Sequence, residues 1–186
     1  SLNEQSKTGS SFFLNNDYSK LNLESLAKDA AVKTTSLLGG EQCKTGKYKA
    51  VFSNDAFSSL LNAFISSASA EEVLKHTSLF ENKLNTQIAS KKLNVYDTPL
   101  KKTLFSRSFD DEGVATYNKD IIKNGVLKTY LYNLETASKD NVITTGNGVN
   151  VGNKIGVSPI YLELKAGKKS LEEIFNECNI IAKYDS

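Results

Sequence analysis

The chain has 186 residues, of which 39% are hydrophobic and 24% charged. This length suits one domain, or one and a half, and allows a buried core. The 23 basic and 21 acidic residues leave a formal charge of +2, too small to attract a nucleic acid or an anionic membrane over long range. We therefore expect no direct contact with nucleic acid. No membrane partner is expected either, because no apolar run is long enough to cross a bilayer.

Soft metal ligands are scarce, because the chain has only Cys43, Cys178 and a single histidine, His76. Zinc sites take three or four protein ligands, and these residues lie in unrelated segments. We expect no metal bound by this chain and a surface position for His76. The cysteines are interpreted as structural residues in a reducing compartment, which favours a cytoplasmic protein. The absence of methionine suggests a fragment of a longer protein.

The first part of the chain is predicted to be helical. Residues 1–20 form a polar tail, and apolar side chains at helical spacing then predict a helix over residues 23–38. Asn22 before it and Gly39 after it are typical start and stop signals. A short strand is expected over residues 48–52.

Two further helices are predicted before the chain changes to strands. Ser53 begins a second amphipathic helix. Ser69 and Glu72 have the spacing of a capping box, in which each side chain satisfies a free backbone donor of the other residue. The third helix that they begin is expected to continue, whole or broken, through residues 73–88. A strand follows over residues 93–96.

The second half is predicted to be rich in strands. Asn124 and Gly125 separate two apolar pairs and predict a tight hairpin, since both residues tolerate positive φ. Residues 160–164 alternate as in a half-buried strand. Ser170 and Glu173 form a second capping box that begins a final helix. Segregated helices and strands predict an α+β fold with a mostly antiparallel curved sheet or partial barrel and flanking helices.

Three adjacent acids, Asp110, Asp111 and Glu112, precede Gly113 at the start of a strand. Like charges this close repel each other unless a cation, backbone N–H groups or solvent offsets them. Oxygen ligands suit Mg²⁺ or Ca²⁺, so a hard-metal site is one interpretation. The composition favours the other, an acidic turn that caps backbone donors.

The second polar motif is Thr145, Gly146, Asn147 and Gly148. Glycines at this density leave backbone N–H groups accessible to an anion or a peptide strand. No Gly-Lys-Ser/Thr follows, which argues against a phosphate loop. The simplest alternative is a mobile loop that binds nothing.

Together, residues 106–114, 124–131 and 145–148 resemble the TldD/PmbA family in both order and spacing. Shorter matches support this: Phe80, Lys83, Leu84, residues 97–99, residues 157–159 and residues 170–174. The similarity covers residues 48–175. It implies that residues 1–46 are a tail and the end of a central region with one amphipathic helix. Residues 47–186 would then be a C-terminal TldD/PmbA-type domain that is incomplete at its C-terminus.

The resemblance implies a cytoplasmic metallopeptidase in which a TldD-type and a PmbA-type (TldE) subunit enclose a chamber for unfolded peptides. In the TldD branch a His-Glu-x-x-x-His helix holds zinc, and a further ligand would be a cysteine beyond Ser186. Aligning that motif places its functional positions at Asn62, Ala63 and Ser67. None of these side chains can replace the zinc ligands or the catalytic glutamate. The chain therefore resembles the PmbA/TldE branch, with zinc only in a TldD-type partner.

A subunit of this kind would help to form the chamber, pairing with a TldD-type subunit or with a second copy of itself. Residues 110–113 and 145–148 are candidates for the border of its peptide groove. A regulatory module that contacts a target protein without proteolysis is the alternative, in line with the family's description as modulator of DNA gyrase. A third possibility is an independent hydrolase that uses the three acids and a hard metal.

Overall fold

The structure is a computed structural model that describes residues 6–40, 44–178 and 180–182. The α-helices are α1 (Leu23–Thr35), α2 (Asn54–Ser66), α3 (Ala70–Leu74), α4 (Leu134–Lys139) and α5 (Leu171–Asn176). The strands are β1 (Ala50–Phe52), β2 (Val95–Asp97), β3 (Lys119–Lys123), β4 (Val126–Leu127), β5 (Gly148–Asn150), β6 (Ile155–Val157), β7 (Leu162–Leu164) and β8 (Ile180–Ala182). Two compact units are present: the first comprises residues 1–59 and 169–186, and the second residues 60–168.

The first unit combines α1 and α5 with a two-stranded parallel pair, β1 and β8. As predicted, Asn22 caps α1, and its side-chain oxygen accepts a hydrogen bond from the Ser25 N–H at 2.9 Å. The helix ends at Thr35, earlier than expected, and turns follow. The capping box of Ser170 and Glu173 is also confirmed at the start of α5.

The second unit is built on an open four-stranded sheet with the order β4-β3-β2-β7. All three strand pairings in it are antiparallel. Helices flank the sheet, and β5 and β6 form a separate antiparallel hairpin. The α+β prediction with an antiparallel sheet is confirmed, and the sheet is open rather than closed into a barrel.

The hydrophobic core of the second unit lies around β3, where Ile121 and Ile122 are both fully buried. They lie where the pairing between β2 and β3 is irregular, because Val95 pairs with Ile122 and Tyr96 with Asp120, which leaves Ile121 as an extra residue. Leu61 and Ile65 from α2 belong to the same core. Further members are Ala68, Ala70, Phe80, Val95, Leu127, Tyr130, Leu131, Tyr132 and Ala137.

The predicted capping box at Ser69 is wrong. Ser69 occupies the N-cap of α3, but its side chain makes no capping hydrogen bond. The Glu72 carboxylate instead accepts a hydrogen bond from the Thr77 hydroxyl at 2.7 Å. The helix that begins here is short, because His76, Asn82 and Asn85 have positive φ, which no α-helix accommodates.

Helix α4, the β5–β6 hairpin and strand β8 were not predicted from the sequence. A capping box between Asn133 and Thr136 begins α4. The turn of the β5–β6 hairpin contains Gly152 at φ +83°. Among the described residues, no helix has the length and apolar character needed to cross a membrane.

The predicted hairpin at Asn124 and Gly125 is confirmed between β3 and β4. Asn124 has φ +49° and Gly125 has φ +75°, as a tight turn with two left-handed residues requires. The Gly125 N–H also donates to the Leu93 carbonyl at 2.9 Å. A Cβ at Gly125 would collide with the side chain of Gln87 and would lie 2.6 Å from the Ser90 carbonyl.

Replacing Gly125 with alanine should therefore cost about 3 kcal/mol or more of unfolding free energy, because left-handed strain and a backbone collision add up. Gly152→Ala is the matched control, since Gly152 also has positive φ but a Cβ added there would have nothing within 4 Å. It should cost about 1 kcal/mol, from strain alone. Urea unfolding of both variants measures the difference, and equal losses would contradict the proposed collision.

Candidate functional site

The acidic turn is held to β5 by the carboxylate of Asp110, which is only 2% exposed. Its Oδ1 accepts hydrogen bonds from the N–H groups of Glu112 at 3.0 Å and Val114 at 2.9 Å. Its Oδ2 accepts one from the Gly148 N–H at 2.8 Å. Both oxygens therefore bind backbone donors, as expected for a capping turn.

Asp111 continues this contact with β5. Its backbone N–H donates to the Gly148 carbonyl at 3.0 Å, and its Oδ2 accepts from the Asn150 N–H at 2.7 Å. Its Oδ1 accepts from Arg107 Nη1 at 2.9 Å. The Asn150 N–H, followed by the Arg107 charge, lowers the pKa of Asp111 below its usual value. Charge repulsion within the turn is offset by these donors.

Glu112 faces in another direction. Its Oε2 accepts a hydrogen bond of 2.7 Å from the Leu134 N–H at the start of α4. A Cβ on Gly148 would lie only 2.6 Å from the same oxygen, so Gly148 leaves the space that this carboxylate needs. Gly113, at φ +77°, lies exposed at the turn.

Residues 145–148 are buried and lie directly behind the acidic turn. The Thr145 hydroxyl accepts from the Tyr132 N–H at 2.7 Å and donates to Asn147 Oδ1 at 2.8 Å. Gly146 has φ +65°, and a Cβ there would lie 2.8 Å from the Ala115 carbonyl. The structure thus brings the two predicted motifs together. Their position at the border of a peptide groove stays a prediction.

A buried ionic network joins Asp97, Lys119 and Asn147, and sequence reasoning did not predict it. Asp97 Oδ2 accepts from Asn147 Nδ2 at 2.7 Å and from Lys119 Nζ at 3.2 Å. Asp97 Oδ1 accepts from the N–H groups of Ile160 at 3.1 Å and Tyr161 at 2.9 Å. The side chain of Asp97 is fully buried, and four donors satisfy its charge.

Lys119 is unusual because only 5% of its side chain is exposed. Its Nζ also donates to Asn147 Oδ1 at 3.1 Å and lies 4.5 Å from the centre of the Tyr117 ring. Burial lowers the pKa of Lys119, although Asp97 opposes this effect. The available sequence signal was a lysine two positions before the apolar pair Ile121 and Ile122, at the start of a strand.

The positions aligned with the zinc motif provide no ligand set. Asn62 and Ala63 are exposed on α2, and Ser67 is buried just beyond the end of that helix. The carbonyl of Ser67 accepts a hydrogen bond from the Ser78 hydroxyl. An amide, a methyl group and a hydroxyl do not suit zinc, which prefers imidazole, thiolate and carboxylate.

The other possible ligands are dispersed. His76 is exposed, as predicted, and its Nδ1 lies 2.6 Å from Glu81 Oε1. Cys178 is a half-buried free thiol, and Cys43 lies outside the described residues. In the described part of the chain, no three or more His, Cys, Asp and Glu side chains are grouped so that they could hold a metal ion.

Comparison with known sequences matches residues 45–182 to the family described as PmbA/TldA metallopeptidase C-terminal domain. The chain belongs to this family. A PmbA metalloprotease homologue from Buchnera aphidicola is 36% identical over 77% of the chain. A metalloprotease from Methanocaldococcus jannaschii is 34% identical over 85% of it.

Solved structures agree with this PmbA/TldA assignment. A candidate modulator of a DNA gyrase from Thermotoga maritima is 42% identical, with a TM-score of 0.82 over 91% of this chain and 39% of the other. TldE from Thermococcus kodakarensis is 26% identical, with a TM-score of 0.72 over 86% and 37%. The chain spans about a third of the two curated relatives, 32% and 36% of their lengths.

If the acidic turn of this PmbA/TldA domain is a backbone cap, Asp110→Asn should destabilise the fold by about 2 kcal/mol. An amide has one acceptor oxygen and no charge, so it cannot replace the two carboxylate oxygens that accept from three backbone N–H groups. Asp111→Asn, at an exposed position, should cost much less. Chemical unfolding measures both variants, and millimolar Mg²⁺ or Ca²⁺ should leave the melting temperature unchanged. A cation-dependent rise that Asp110→Asn abolishes would favour the hard-metal interpretation instead.

Lys119→Met should destabilise the domain by about 3 kcal/mol, because it leaves the Asp97 carboxylate buried without its cation. Lys123→Met is the matched control from the same strand, where the pair with Asp120 is exposed and little change is expected. Adding Asp97→Asn to Lys119→Met should recover part of the loss. Urea unfolding measures the variants. Similar losses of unfolding free energy in the two lysine variants would show that the buried pair stabilises the domain no more than the exposed pair does.

Proposed function

We propose that this chain is part of a PmbA/TldE-type subunit without its own zinc, which acts in a metallopeptidase complex with a TldD-type subunit. The observation that carries the proposal is the set of side chains at the motif positions, Asn62, Ala63 and Ser67. Alanine cannot activate water, and asparagine and serine are poor zinc ligands. In this proposal zinc and the catalytic base belong to the TldD-type partner.

The subunit would contribute walls to a cytoplasmic chamber that holds unfolded peptides. Its likeness to the solved TldE structure supports a TldD/TldE-type pairing, while a homodimer is the other arrangement to be tested. The acidic turn, residues 110–113, supports this role because its hydrogen bonds hold it firmly to β5. A turn held in this way can border a groove for an extended peptide without taking part in the cleavage reaction.

The proposal is tested by measuring cleavage of an unstructured fluorogenic peptide by this protein, by a TldD-type protein from the same genome, and by their mixture. The protein alone should neither cleave nor retain zinc after dialysis. The mixture should exceed the activity of the TldD-type protein alone and should lose activity with a chelator.

Native mass spectrometry supplies the control, because the pair should form a complex of defined stoichiometry, whereas a homodimer would give twice the single mass. Replacing the TldD-type protein with a variant that lacks its motif glutamate should keep the complex and abolish cleavage. Zinc-dependent cleavage by this protein alone would overturn the proposal.

A second candidate function is regulation of a target protein without proteolysis. It is favoured by two solved structures, each described as a candidate modulator of DNA gyrase, with TM-scores of 0.82 and 0.71. Inhibition or sequestration of gyrase by this protein, with no cleavage in the mixture above, would support this function over the peptidase role.

A further inference from the structure

A cleft of about 300 Å³ opens on the second unit beside the acidic turn. Its apolar walls come from three separate segments: Leu104 and Phe105, then Val149 of β5, then Pro159 and Ile160. Leu104 and Phe105 are exposed although they are large and apolar. The cleft therefore offers an accessible apolar surface within a concave site, as small ligand sites commonly do.

Hydrogen bonds and ring contacts hold these walls in place. The ring of Phe105 stacks on that of Tyr161, with centroids 6.2 Å apart and planes 19° apart. The N–H groups of Ile160 and Tyr161 both donate to the buried Asp97 carboxylate. Val149 lies in β5, between the two residues that bind the acidic turn. The cleft is thus formed before any ligand arrives.

Arg107 provides the charge of the cleft, and its side chain is 48% exposed. Within the described part of the chain, its guanidinium makes one hydrogen bond, from Nη1 to Asp111 Oδ1. The other oxygen of Asp111 is already bound to the Asn150 N–H. Asp111 thus orients the guanidinium and offsets part of its charge, while further N–H donors of the planar fork still face solvent.

The other side-chain polar group of the cleft is not available for a ligand. The single proton of the Ser106 hydroxyl is shared between the Lys101 and Thr103 carbonyls, and its oxygen accepts from the Thr103 N–H. A ligand would therefore meet apolar walls and one guanidinium, which pairs best with a carboxylate. Its volume of about 300 Å³ is at the small end of the range for ligand sites, which suits a small apolar group beside a carboxylate.

We propose that this cleft binds the C-terminal residue of a peptide, with its apolar side chain against Leu104, Val149 and Ile160 and its α-carboxylate on Arg107. The proposal rests on the proposed function, because it specifies how the subunit would hold one end of a peptide. The length and internal sequence of the peptide would have little effect on its affinity. A free carboxyl end and an apolar last residue would both increase it.

The test is binding of an N-terminally labelled pentapeptide that ends in leucine, measured by fluorescence anisotropy on the full chain. The free-acid peptide should bind about three- to tenfold more tightly than its C-terminal amide. Arg107→Gln should remove this difference by weakening only the free acid. Leu104→Ser should weaken both peptides, because it reduces the apolar contact without touching the guanidinium.

Lys139→Gln is the control for loss of a surface charge, since Lys139 pairs with Glu135 on the exposed face of α4. It should leave both affinities unchanged, and circular dichroism should show all three variants folded. No binding, equal binding of acid and amide, or equal effects of Arg107→Gln on both peptides would overturn the proposal. The assay needs neither cleavage nor a partner, so failure here with successful reconstitution above would reject only the cleft.

Discussion

A single buried carboxylate, that of Asp97, sets the arrangement of the second unit. A charge removed from water is tolerated only when hydrogen bonds and an opposite charge replace its hydration. Asp97 receives two backbone N–H groups, one amide and one ammonium group. These donors come from β3, the 145–148 segment and the segment before β7. The chain can satisfy this carboxylate only by bringing those three regions to the end of β2.

A short series of hydrogen bonds connects this buried network to the protein surface. Asn147 is fixed by Asp97, and its neighbour Gly148 binds Asp110 and Asp111 through its N–H and carbonyl. Asp111 in turn orients Arg107. Hydrogen bonds therefore connect the exposed Arg107 to the buried pair of Asp97 and Lys119. Rigid elements behind a site place its groups more exactly than a loop could alone.

Local rules of sequence predicted local structure well. Asn124 and Gly125 gave the hairpin and Ser170 gave the helix start, because each signal needs only residues within a few positions. The capping-box signal at Ser69 gave a wrong prediction, because the Glu72 carboxylate accepts a hydrogen bond from Thr77 instead. The ion pair of Asp97 and Lys119 spans 22 positions, and no local rule links them. The polar motifs could be named as candidates, but the burial of Asp110 and of residues 145–148 followed only from the fold.

Two of the three positions aligned with the zinc motif lie apart from the core, and the third, Ser67, is buried. Asn62 and Ala63 are exposed on α2, whereas Leu61 and Ile65 of the same helix are buried in the core. Substitutions at the two exposed positions therefore leave the packing of the core unchanged, since functional groups and core residues occupy different positions of the fold. What the chain retains is the surface that the buried network organises. In the proposed function, this surface is what the chain contributes to peptide binding.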